Sequence, residues 1–68
     1  MTHTEQAILD ALDAHRVITA QVPFLAWKFD VSESTIRRSL KRLVSTKAII
    51  GVGEPKPYAY RRAEYLDR

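Results

Sequence analysis

No cysteine occurs anywhere in the 68 residues, and that absence limits what the chain can fold into more than any residue it contains. A chain of this size buries only roughly 60% of the surface its unfolded form exposes, so its core is thin. Small domains often compensate with disulfides or a thiolate-held metal, and neither is open here. Stability must then come from well-packed helices or from a partner subunit. The length allows one domain, over 1–68. A walled catalytic pocket needs more chain, so an enzyme is not expected.

Helices need start and stop signals, and three sets are legible. Thr2 followed by Glu5 fits a capping box, with Thr4 as a rival cap, and Ala7, Ile8, Ala11 and Leu12 recur at helical spacing. The first helix is read over 4–15. Arg16-Val17-Ile18-Thr19 interrupts the pattern with three β-branched residues, as a short extended link would. Pro23 is tolerated only in a first turn, which starts a second helix near Gln21 and gives it the span 22–29. Its inner face is Val22, Leu25, Ala26 and Phe29. Asp30 stands where the chain must turn. Ser32 is a good N-cap for a third helix over 33–45, whose buried stripe is Ile36, Leu40 and Leu43. Beyond it, 48–52 and 58–62 read as two strands around the turn Gly53-Glu54-Pro55-Lys56-Pro57. The tail from Ala63 to Arg68 reads as a short helical turn or a frayed end. The fold class expected is mainly α with a small β-hairpin.

Charge is distributed unevenly. Over 1–30, Glu5, Asp10, Asp13 and Asp30 outweigh Arg16 and Lys28, a net −2. Over 34–62, Arg37, Arg38, Lys41, Arg42, Lys47, Lys56, Arg61 and Arg62 oppose Glu54 alone, a net +7. Such asymmetry in a folded domain points to a polyanionic partner, against the blander reading of a solvated face. At 100° per residue, Ser34, Arg38, Lys41 and Arg42 lie opposite the buried stripe and Arg37 lies at its flank. Thr35 is near the helix start, where amides and a hydroxyl meet a phosphate.

Residues 25–43, Leu-Ala-x4-Val-Ser-x2-Thr-Ile-x3-Leu-x2-Leu, resemble the helix-turn-helix of bacterial regulators. The stretch GEPKPYAYRR over 53–62 is similar to the wing of winged-helix repressors such as the penicillinase-repressor and MarR-like groups. Those motifs usually carry glycine at the turn where Asp30 stands here, and Asp enters the left-handed region more readily than most residues. The resemblance implies a winged helix-turn-helix of three helices plus a wing that binds duplex DNA, in a bacterial or phage regulator of transcription or in an architectural task such as recombination or replication. A cytoplasmic protein is expected separately, from the lack of a membrane span or leader in the sequence. Helix 33–45 would enter the major groove. Ser34, Arg37, Arg38 and Lys41 would face base edges or nearby phosphates, with Arg42 on the same basic side. Ser32 and Thr35 would touch the backbone, and Lys56 with Arg61 or Arg62 would reach a flanking phosphate or the minor groove. The chemistry fits these residue types, since Arg pairs bidentately with guanine and Arg and Lys release counterions from phosphates. The Pro55-x-Pro57-Tyr58 turn also resembles that of domains that bind left-handed DNA. Those domains depend on an Asn and a Tyr where Arg37 and Lys41 stand, so that reading is set aside.

A second class of function is open. Phe24 and Trp27 fall on the side of the second helix away from its core face, and an exposed aromatic pair marks an interface. They would serve a homodimer or a protein partner, as in a phage-encoded inhibitor or assembly factor. Tyr65 and Leu66 of the tail, or the first helix, folding over them is the plainer alternative. Tyr58 and Tyr60 alternate with Ala59 and read as core, with base contact by a wing tyrosine as the alternative. His3 and His15 have no ligand spacing, no Ser–His–Asp pairing or glycine-rich phosphate loop occurs, and no cofactor, metal or small-molecule motif is present. No apolar run approaches the ~20 residues of a membrane span, and no basic-then-apolar leader precedes the domain. A third reading is an excised DNA-binding domain of a larger protein, against which the opening Met1 argues.

Overall fold

A computed structural model describes residues 2–63. The elements run α1 (His3–His15), β1 (Val17–Thr19), α2 (Val22–Phe29), α3 (Glu33–Ser45), β2 (Ile49–Val52) and β3 (Ala59–Arg62). The three strands form one antiparallel sheet in the order β1-β3-β2. The fold is therefore mixed α and β, three helices on a small sheet, rather than helices with a two-stranded hairpin. The extended link after α1 is the third strand. It pairs Val17 with Arg61, Ile18 with Tyr60 and Thr19 with Ala59, and so makes β3 central. Among the described residues no helix is long and apolar enough to cross a membrane.

Local chemistry sets the helix limits. The Thr2 hydroxyl accepts from the Glu5 amide at 3.1 Å and the Glu5 carboxylate accepts from the Thr2 amide at 3.4 Å, which closes the capping box and starts α1 at His3. Pro23 lies in the first turn of α2. Asp30 ends α2 in the left-handed conformation, φ 57° and ψ 50°, and the Val31 amide reaches back to the Ala26 carbonyl at 3.0 Å. Ser32 Oγ accepts from the Thr35 amide at 3.1 Å and caps α3. Lys47, φ 63°, ends α3 in the same way, with the Ala48 amide on the Leu43 carbonyl at 2.9 Å.

The core is one cluster between the helices and the inner face of the sheet. Ile8, Leu9 and Leu12 come from α1, Ile18 from β1, Leu25 from α2, Ile36, Leu40 and Leu43 from α3, and Ile49 from β2. Val22, Ala26 and Phe29 of α2 pack against its edge, as the helical spacing predicts. Leu9 is a core residue that the spacing of Ala7, Ile8, Ala11 and Leu12 leaves out. Each large apolar side chain buried here contributes roughly 1.5–3 kcal/mol before entropy is counted.

The two tyrosines of the second hairpin strand part company. Tyr60 packs against the core, whereas Tyr58 is 69% exposed. The strand begins only at Ala59, so the alternation that would turn Tyr58 inward does not reach it. Its ring instead covers Gly53, whose φ of +108° and lack of a Cβ the contact requires. Pro57 lies over Gly51 in the same manner, where an added Cβ would come within 2.9 Å of its ring. The turn between them contains a cis Glu54–Pro55 peptide. Tyr65 and Leu66 lie outside the described residues.

Candidate nucleic-acid interface

The candidate site is built on α3 because that helix is covered on one side only. Ile36, Ser39, Leu40 and Leu43 are buried, and Ser34, Arg37, Arg38, Lys41 and Arg42 are exposed. Ser34, Arg38 and Lys41 form the outward ridge, and with Arg37 they enclose a shallow basic depression. At 1.5 Å per residue, the ridge from Ser34 to Lys41 spans about 10 Å, the length of roughly three base steps. A helix with side chains is about 10–12 Å across, which suits a major groove about 12 Å wide.

The flanks differ from each other. On the sheet side, Arg37 and Lys41 edge a groove floored by Val22, Leu40, Val44 and Tyr60, which joins α3 to α2 and β3. Arg37 also pairs with Glu33 at 3.1 Å, with both side chains largely in solvent. An exposed i,i+4 pair is worth only about 0.3–0.5 kcal/mol, so Arg37 can leave it for a guanine or a phosphate at little cost. On the α1 side, Thr35, Arg38 and Arg42 line a polar cleft with Thr4, Glu5 and Ser39.

Arg42 therefore lies on the α1 flank rather than on the outward ridge. Its Nε is 3.7 Å from a carboxylate oxygen of Glu5, a residue only 4% exposed. That distance is an ion pair and not a hydrogen bond. Glu5 thus has two tasks, capping α1 and holding Arg42, and only the first is legible in the sequence.

The remaining predicted residues scatter. Ser32 Oγ is held by its cap and lies 2.9 Å from Thr35 Oγ1, so both hydroxyls stand at the start of α3. Lys56 is exposed at the tip of the β2–β3 turn. Arg62 shares the inner face of the sheet with Ile49, its cross-strand partner, and pairs with Asp13 of α1 at 3.5 Å. Only 20% of its side chain is exposed, so its guanidinium serves the α1–sheet contact and is not grouped with the basic ridge. Arg61 points to the outer face of the sheet, away from α3. Phe24 and Trp27 stay exposed on α2, with ring centroids 5.9 Å apart and planes tilted by 42°. Among the described residues, no group of three or more His, Cys, Asp or Glu side chains is placed to hold a metal ion.

Comparison with protein-family models, with curated proteins and with solved structures gives no match to this chain.

Proposed function

We propose that this chain is a winged helix-turn-helix domain that binds duplex DNA, with α3 in the major groove and the β2–β3 hairpin as the wing. The layout of three helices and a three-stranded antiparallel sheet is compatible with that fold. The observation that carries the reading is the outward ridge of α3. Ser34, Arg37, Arg38 and Lys41 stand together in solvent while Ile36, Leu40 and Leu43 lock the helix from behind. Rigid elements place charged side chains more sharply than loops do. In this reading Arg37, Arg38 and Lys41 meet base edges and phosphates, and Ser32 and Thr35 contact backbone at the helix start. Lys56 reaches a flanking phosphate, and regulation of transcription is the role that follows.

The test is fluorescence anisotropy of a labelled random duplex at ~50 and ~200 mM salt. Four phosphate contacts correspond to a slope of about −3.6 in log affinity against log salt, a loss of roughly 150-fold between these conditions. No binding at either salt would refute the proposal.

One observation favours a second reading. Trp27 is 77% exposed beside Phe24, an aromatic pair with no cover among the described residues. A protein-interaction module would act through it. If Trp27→Ala abolishes function in a folded protein while Arg38→Glu leaves it intact, the interaction reading replaces the DNA reading.

A further inference from the structure

The outer face of the sheet carries Arg61, whose Nε is shut off from solvent and has no hydrogen-bond partner among the described residues. Buried donors are nearly always paired, and an orphaned one marks a place where a partner is missing. Among the described residues no carboxylate forms an ion pair with Arg61 or with Arg16 beside it.

The surroundings have the form of a small site. Arg61 pairs across the sheet with Val17 and with Ile50, so it projects from the face opposite Tyr60 and the core. Arg16, Val17, Val52 and Arg61 line a depression of about 320 Å³, at the small end of ligand-site sizes. Its walls are the two valines, and its polar groups are two guanidinium ions. Val17 is left 48% exposed there. Arg16 is the C-cap of α1, with φ 70° and its amide on the Leu12 carbonyl at 2.7 Å, and this helix end sets it beside β1.

We propose that Arg16 and Arg61 form a site for a small oxyanion with a compact apolar body, a carboxylate or a phosphate monoester. The planar fork of Arg61 matches either group, and burial strengthens its bond to a charged acceptor. Val17 and Val52 receive the apolar part, which a bare inorganic anion would leave empty. The site lies across the sheet from α3 and does not depend on α3 binding DNA.

The experiment is a titration of ¹⁵N-labelled protein with 3-methylbutanoate, 3-methylbutyl phosphate and, as the neutral analogue, 3-methylbutanol. The proposal expects saturable shifts of the Arg61 Nε–Hε resonance and of the amides of Arg16, Val17, Val52 and Arg61 with an anion, and none with the alcohol. The anion that saturates at lower concentration identifies the natural headgroup. Arg61→Lys keeps the charge but loses the fork, and weakens binding about tenfold or more. Arg16→Gln, at an exposed position, weakens it too and covers the case in which the Arg61 variant fails to fold. No saturable shift with either anion, undiminished binding by folded Arg61→Lys, or shifts centred on Arg37, Arg38 and Lys41 would overturn the proposal. So would a duplex that moves the Arg61 resonance when neither small anion does, since the site would then be a DNA phosphate contact.

Discussion

Replacing Glu5 with glutamine separates the two tasks of that side chain. Glutamine also closes a capping box, so the start of α1 survives the change. What is lost is a negative charge 3.7 Å from Arg42 and close to the α1 N-terminus. Two unit charges at that distance attract by about 4 kcal/mol at an effective dielectric of ~20. The Arg42 side chain is 65% exposed, however, and pairs so wetted yield roughly 0.2–1 kcal/mol. The charge–dipole interaction adds about 0.3–1 kcal/mol. Glu5→Gln should therefore cost about 1 kcal/mol, a fall in Tm of roughly 4–8 °C for a domain of this length. It should also free Arg42 to meet a phosphate, and steepen the salt dependence of duplex binding by up to about one unit of slope. Thermal unfolding followed by circular dichroism reads the first effect, and anisotropy over a salt series reads the second. An unchanged Tm would refute the stabilising role of the pair. An unchanged slope would refute the expectation that Arg42, once released from Glu5, reaches a phosphate.

Arg38→Ala should leave Tm within a few degrees and lower the salt slope of duplex binding by about one unit, measured in the same titration. Lys47→Gly relieves a left-handed residue at the end of α3 and should stabilise by roughly 0.5–1 kcal/mol in urea unfolding, with duplex affinity unchanged. Gly53→Ala places a methyl group in the Tyr58 ring at φ +108° and should destabilise by about 1–3 kcal/mol, read in urea as a lower midpoint. Leu43→Ala, at a position 1% exposed in the centre of the core, should cost about 2–5 kcal/mol, a large share of what a domain this small possesses.

The helices were legible because their limits are chemical and local. Pro23, Asp30 and Ser32 delimit α2 and α3 at the residues expected, and Thr2 with Glu5 begins α1. Asp30 takes the left-handed turn that ends α2, as its short polar side chain permits. The third strand was not legible as a strand. Val17–Thr19 is too short to carry a period, and only pairing with the distant β3 orders it. The helical spacing leaves out Leu9 because α1 is covered by both α3 and the sheet, which widens its buried face beyond one stripe. Arg42 with Glu5 and Arg62 with Asp13 join separate elements, and no spacing along the chain encodes such pairs. The ridge of Ser34, Arg38 and Lys41 follows from helical period alone once the buried stripe is known.

The central claim is that the outward face of α3 receives duplex DNA, and the most direct measurement is an amide shift map. ¹⁵N-labelled protein is titrated with an unlabelled duplex, and each resonance is followed. The account predicts the largest changes at Ser34, Arg37, Arg38 and Lys41 and at Lys56 of the turn, with the Trp27 indole unmoved. Changes centred on Phe24 and Trp27, or none on α3 at saturating duplex, would contradict it.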